Sequence, residues 1–230
     1  MIKRGINVKK FIYHGSESIV KNPCLEEISI GKDFGTGFYV SENLELAREW
    51  ACKNGNDGFV NGYSCDMTDL KVLNLTNMKK GILFWLSLMC ANRTLWTKAS
   101  IGEEAKRFLA MEYPVNKADY DVIIAYRGDD SYTDYARAFL MGEISLQRLN
   151  KFLKLGRNEE EIVLVSQKAI DSLVYLGNDM ALSSAYYVKK VNRDLEAREK
   201  MKKFTLKKGT QEIYIKDIME GRVSEDDLCL

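Results

Sequence analysis

The only histidine of the chain, His14, ends an alternating apolar segment and is followed at once by Gly15 and Ser16. A second segment, residues 33–39, has two glycines in a loop and then an aromatic residue, Tyr39, that enters a strand. An imidazole can donate and accept hydrogen bonds, a glycine lets a ligand approach the backbone, and an aromatic ring offers a flat face. The two segments therefore predict a small-ligand site formed where two strands end.

The hydrophobic pattern predicts a mixed α+β domain that would position these segments. Alternating or mostly apolar segments predict strands, at residues 9–14, 37–41, 59–65, 70–75, 120–125, 161–165 and 211–215. Helical spacing predicts a helix through Leu46, Ala47 and Trp50, capped by Ser41 or Asn43. Further helices are predicted over residues 76–113, with an interruption near residue 100, and over 132–141, 145–155 and 167–176.

The composition changes after Gly177. Tyr187, Val191 and Leu195 form a narrow apolar stripe on a long helix, and residues 189–208 hold nine basic residues against three acidic ones. We therefore divide the chain into a main domain, residues 1–177, and a charged helical appendage, residues 178–230. The basic run is compatible with an RNA or DNA surface, but such runs are more often a solvated helix face.

Composition argues against several classes of protein. The net charge of +1 does not suggest a polyanion-binding molecule. The basic segment 1–10 lacks the apolar stretch of a signal peptide, and the apolar run 82–91 is shorter than the roughly 20 residues of a membrane span. Five cysteines without a C-x-x-C pair, and one histidine, predict no metal site. We expect a cytoplasmic protein with reduced thiols and no membrane partner.

Residues 8–176 resemble the NAD-binding part of the ADP-ribosyltransferase fold, and closely the bacterial family DUF3990. The resemblance depends on the joint order and spacing of short motifs, namely Tyr13-His14-Gly15-Ser16, residues 33–39, Ala47-x-x-Trp50-Ala51, residues 120–124 and the strand that opens at Glu161. It implies an α+β fold with a split β core flanked by helices, to which the C-terminal helical appendage is added.

The resemblance also implies roles for individual residues. In the His-Tyr-Glu branch of this fold, the three catalytic positions correspond to His14, Tyr39 and Glu161. His14 would fix a ribose of NAD, and Tyr39 would stack on the nicotinamide ring. Glu161 would stabilise the oxocarbenium-like ribose left when nicotinamide departs. Glu159, two residues earlier on the same strand face, would act on the acceptor.

The other predicted NAD contacts are made by small residues. The backbone N–H and C=O of Gly15 would bind the nicotinamide carboxamide. Ser16 and Gly37 complete the predicted NAD-binding set.

Each of these residues also has a structural interpretation. A single histidine at a strand end is usually a satisfied structural residue, and Tyr39 could be a core or rim aromatic. The acids 159–161 before an apolar strand are most often a solvated turn.

The resemblance implies that the protein uses NAD to transfer ADP-ribose to a macromolecular acceptor, either protein or nucleic acid. It further implies a toxin of a bacterial toxin–antitoxin or defence locus, with an antitoxin protein as partner. Two alternatives stay open: a catalytically silent binding module with this fold, and an NAD glycohydrolase that needs no acceptor.

Overall fold

The computed structural model describes residues 9–25, 33–95, 100–128, 130–155, 160–204 and 211–230. Seven strands lie within these ranges. They are β1 (Lys9–Ser16), β2 (Phe38–Val40), β3 (Gly58–Asp66), β4 (Val72–Asn74), β5 (Val122–Tyr126), β6 (Glu160–Leu164) and β7 (Leu173–Ala181).

Eight α-helices lie within the same described ranges. They are α1 (Leu44–Ala51), α2 (Gly81–Asn92), α3 (Ser100–Glu112), α4 (Asp130–Leu140), α5 (Leu146–Leu153), α6 (Gln167–Asp171), α7 (Ser183–Lys203) and α8 (Ile215–Met219). The side chain of Asn43 accepts hydrogen bonds from the Glu45 and Leu46 N–H groups at the start of α1, which confirms one of the two predicted caps.

The strands form two sheets, so the predicted α+β class is confirmed. One sheet has three strands in the order β1-β3-β7, and the other has four in the order β2-β6-β5-β4. β4 and β5 are parallel, whereas the other paired strands are antiparallel. The first sheet brings β1 to an edge that faces the edge strand β2 of the second sheet.

Two predicted elements are wrong. Residues 167–176 are not one helix, because α6 ends at Asp171 and the apolar residues from Leu173 onward pair with β3 as β7. Residues 211–214 are not a strand either, and a helix begins at Ile215. There the Tyr214 N–H donates to Asp217 Oδ2 at 3.0 Å, which caps the first turn of α8.

The C-terminal residues contribute to the main body of the protein. The predicted boundary between residues 177 and 178 falls inside β7. Further on, Ile213, Ile215 and Ile218 are buried in the larger hydrophobic core, and α8 packs against α3. Burial of these side chains stabilises the fold that carries the candidate site.

Candidate functional site

Within the part of the chain that the structure describes, the two sheets meet at one backbone bridge. Tyr13 and Ser41 exchange both hydrogen bonds, with N···O distances of 2.8 and 3.0 Å. In a regular antiparallel ladder the next pair in this register would be Gly15 and Tyr39. Within the described residues the ladder between β1 and β2 is limited to the Tyr13–Ser41 bridge, so the strands diverge beyond it. We call this space the split.

His14 spans the split with its side chain. Its Nδ1 lies 2.7 Å from the backbone oxygen of Tyr39. A carbonyl oxygen only accepts, so Nδ1 carries the hydrogen and Nε2 is the acceptor nitrogen of the neutral ring. The imidazole also stacks on Phe38, with ring centroids 4.4 Å apart. Both contacts fix the orientation of the ring.

Gly15 presents its peptide groups to the split. Backbone N–H and C=O groups alternate in direction along a strand, so those of Gly15 point to the same side as those of Tyr13. The other side of the glycine packs against α1. A Cβ at this position would lie 2.0 Å from the Ala47 carbonyl oxygen and 2.7 Å from the Ala51 nitrogen. Only glycine therefore keeps β1 against α1 without a shift of the strand or the helix.

Tyr39 has its side chain in the larger core and not in the split. The residue is only 8% exposed. Its hydroxyl donates to the Gly35 carbonyl oxygen at 2.6 Å and accepts from the Phe34 N–H at 3.2 Å. The side chain thus braces the loop at residues 33–37, while the backbone carbonyl of Tyr39 serves the site by binding His14. A stacking role for the ring would require it to be uncovered.

Gly37 and Ser16, the remaining predicted NAD contacts, make close contacts within the protein. A Cβ on Gly37 would lie 2.5 Å from Val163 Cγ1, so this glycine lets the loop pack on β6. The Ser16 hydroxyl donates to the Ser18 carbonyl oxygen at 2.6 Å, and the Asn61 amide nitrogen lies 3.1 Å from it. Both residues shape the walls around the split.

The acidic segment places its members on opposite faces of β6. Glu161 is 8% exposed and shares a face with Val163, which packs into the larger core with Tyr39. Glu160 shares the other face with Ile162, which is paired with Val40. That face also carries Phe38, on which the His14 ring stacks. The structure therefore places Glu160, and not Glu161, on the face of the second sheet that carries Phe38, two residues beyond the Val40–Ile162 pair. Glu159 lies outside the described residues.

Glu160 is one of the residues that line an open pocket of about 570 Å³. The Thr76 hydroxyl donates to Glu160 Oε1 at 2.5 Å, and the Ser41 hydroxyl donates to the Glu160 carbonyl oxygen at 3.0 Å. The pocket is lined by Ser41, Glu42, Asn43, Leu44, Glu160 and Ile162. Its fixed carboxylate is a group that can stabilise a developing positive charge.

Helix α7 packs against α1 through ion pairs. Arg193 Nη2 lies 2.7 Å from Glu49 Oε2, whose side chain is only 4% exposed. Lys189 Nζ lies 2.6 Å from Glu45 Oε2, and this hydrogen bond lowers the pKa of Glu45 and raises that of Lys189. Lys189 and Arg193, two cations of the basic run, are thus paired with acids of α1.

Three residues of the site were missed by sequence reasoning, namely Phe38, Asn61 and Glu160. Phe38 could have been found from strand alternation, because it is the neighbour of Tyr39 and so points to the other face. Glu160 needed the correct register of β6, which the three consecutive acids do not reveal. Asn61 lies within a strand pattern, and no local signal distinguishes it.

The described residues contain no group of three or more His, Cys, Asp or Glu side chains placed to hold a metal ion. Among the same residues, no helix is both long enough and apolar enough to cross a membrane.

Comparison with known proteins identifies the family. Residues 11–175 match the family described as a protein of unknown function, DUF3990. The chain belongs to the DUF3990 family. The DUF3990 match begins within β1 and ends within β7, so it includes every residue of the split described above. No curated protein and no solved structure matches the chain.

Proposed function

We propose that this protein binds NAD in the split between β1 and β2 and transfers ADP-ribose to a macromolecular acceptor. The proposal depends on one observation: a hydrogen bond from the His14 side chain takes the place of a backbone hydrogen bond of the sheet. The Tyr39 carbonyl, which a continuous sheet would pair with the Gly15 N–H, accepts from His14 Nδ1 instead. The N–H and C=O of Gly15 are thereby left to face the split.

A primary carboxamide is complementary to such a pair of peptide groups, because it also has one donor and one acceptor side by side. Nicotinamide carries this group. The neighbouring His14 Nε2 would accept from a ribose hydroxyl, so amide and sugar would be fixed by consecutive residues. These contacts orient the glycosidic bond that must break.

Glu160 would supply the charge for the bond-breaking step. The bond between ribose C1′ and the nicotinamide nitrogen breaks, and its electron pair stays on the nicotinamide. A nucleophile of the acceptor then bonds to C1′ and loses its proton. Positive charge develops on the ribose between these events, and the Glu160 carboxylate would stabilise it. The geometry favours Glu160 for this role over Glu161, whose side chain faces the core.

The acceptor class is a matter for experiment. Purified protein is incubated with NAD labelled in its adenylate portion and with bacterial lysate, and the protein and nucleic-acid fractions are then separated. Label in either fraction, lost in His14→Ala, supports transfer and names the acceptor class. Release of free ADP-ribose without labelled macromolecules would instead support an NAD glycohydrolase. Binding without turnover would indicate the catalytically silent module.

The toxin role and the antitoxin partner belong to the same proposal. Loss of NAD, or modification of an essential macromolecule, would slow bacterial growth. A partner protein that covers the split would then be needed to protect the cell. A mutant lacking His14 gives the matched control for toxicity.

A further inference from the structure

The side chain of Asn61 makes its hydrogen bonds to residues 14–20, which include the proposed ligand contacts and the segment after them. It is 0% exposed and lies opposite His14 in the β1–β3 pairing. Its Oδ1 accepts from the Val20 N–H at 2.8 Å. Its Nδ2 lies 3.1 Å from Ser16 Oγ, 3.3 Å from the Ser18 carbonyl oxygen and 3.4 Å from the His14 carbonyl oxygen. One buried amide thus holds residues 14–20 at four points.

Tyr63 binds the same segment. It stands two residues after Asn61 on β3, so both side chains share a face. Its hydroxyl donates to the Val20 carbonyl oxygen. The buried ring also meets Phe38 edge-on, with centroids 5.7 Å apart, and Phe38 in turn stacks on His14. Both peptide groups of Val20 are therefore bound by β3 side chains.

We infer that Asn61 and Tyr63 are positioning residues of the NAD site. Together they hold the segment 16–20 over β3 and so fix the direction of the Gly15 peptide groups. This inference rests on the proposed function. Neither residue needs to touch NAD, because each acts through the backbone that does.

The hydrogen bonds of Asn61 are more specific than a buried amide requires. A buried amide must be hydrogen-bonded, but any nearby partner would serve. Here the Asn61 contacts all go to one segment of another element, and a second side chain binds the same residue of that segment. Removal of either side chain should therefore loosen Val20 and weaken NAD binding together.

Three variants test the inference on the full chain. Asn61→Ala removes the four-point contact. Tyr63→Phe removes only the hydroxyl, so it keeps the packing if Asn61→Ala fails to fold. Asn178→Ala is the matched control, because Asn178 pairs with Asn61 on the opposite strand but is exposed and donates to the Tyr175 hydroxyl at 2.6 Å.

The readouts are hydrogen exchange of the Val20 amide by NMR and NAD affinity by calorimetry. Both are measured at a temperature well below the midpoint of thermal unfolding. For Asn61→Ala we expect about tenfold faster exchange and about tenfold weaker NAD binding, the loss of roughly one buried hydrogen bond. For Tyr63→Phe we expect about threefold changes in the same direction, as for a weaker bond. Asn178→Ala should match the wild type in both.

Unchanged Val20 exchange in Asn61→Ala and Tyr63→Phe would overturn the inference. Faster exchange with wild-type NAD affinity would overturn it too, since the contacts would then be structural only. If the wild type does not bind NAD, the proposed function fails and the positioning role fails with it. The exchange rate of the Val20 amide is measured without NAD, so it shows separately whether Asn61 and Tyr63 hold the segment 16–20.

Discussion

Gly15→Ala tests the packing and the ligand role of one residue together. The added Cβ would meet the Ala47 carbonyl oxygen at 2.0 Å and the Ala51 nitrogen at 2.7 Å. Both atoms belong to the backbone of α1, so no side chain can move aside. Either β1 or α1 must shift, and the shift would turn the Gly15 peptide groups away from their direction in the split.

Overpacking of this kind costs about 1–3 kcal/mol, and a contact against helix backbone belongs at the upper end. For a chain of 230 residues, a loss of about 2–3 kcal/mol corresponds to a fall in Tm of roughly 5–10 °C. We therefore expect a clearly lower unfolding free energy by urea titration. NAD affinity, measured by calorimetry where the variant is fully folded, should fall at least about tenfold.

Gly62→Ala is the matched control for this change. Gly62 lies on the neighbouring strand β3, and a Cβ there would meet its nearest atom at 3.7 Å, an ordinary contact distance. We expect its unfolding free energy to stay within about 0.5 kcal/mol of the wild type. Equal stabilities for the two alanine variants would refute the packing argument. A destabilised Gly15→Ala with wild-type NAD affinity would refute the ligand role of Gly15.

Three further outcomes are expected. Tyr39→Phe should lower the unfolding free energy by roughly 1–3 kcal/mol, because the hydroxyl loses its bonds to Phe34 and Gly35; wild-type stability in a denaturant titration would contradict this. Asp121 should contribute pH-dependent stability, because hydrogen bonds lower the pKa of its carboxyl group; the largest effect comes from the Lys71 N–H and the next largest from the Ser166 hydroxyl. That contribution is present above the ordinary pKa of about 3.9 and is lost as pH falls through the lowered folded value. Asp121→Asn should therefore destabilise the protein at pH 7 and less so near pH 2, whereas an equal difference at both pH values would contradict the assignment. Expression of the wild type should slow bacterial growth and His14→Ala should relieve it; normal growth with abundant folded wild-type protein would argue against a toxin.

Local patterns predicted most elements that build the site. The strands near residues 9–14, 59–65 and 120–125 are predicted to within a few residues, because short apolar or alternating segments bounded by polar loops are a local signal. The helix after Asn43 was predicted from its cap and spacing. Gly15 and Gly37 are predicted from the sequence as NAD contacts, which stays a prediction; the structure shows that both are positions where the chain packs closely, against α1 and β6 respectively.

The rest depended on tertiary contacts that no local pattern contains. Residues 173–176 become a strand only because β3 offers an edge to pair with, so the helical prediction failed. Tyr39 is predicted to face a ligand, whereas in the structure its hydroxyl donates a hydrogen bond to the Gly35 carbonyl oxygen in the preceding loop. The choice between Glu160 and Glu161 depends on the register of β6 against β2 and β5, and a shift of one residue exchanges the two faces.

Nicotinamide release by three proteins tests the central claim most directly: the wild type, Glu160→Gln and Glu161→Gln. Glutamine keeps the size and hydrogen bonding of the side chain but removes the charge needed in the transition state. We expect the wild type to release nicotinamide from NAD, and Glu160→Gln to release it at least about a hundredfold more slowly with NAD binding nearly intact. Glu161→Gln should retain most of the activity of its folded fraction. Full activity in Glu160→Gln with loss in Glu161→Gln would contradict this account of the site, and no release by the folded wild type would contradict the proposed chemistry.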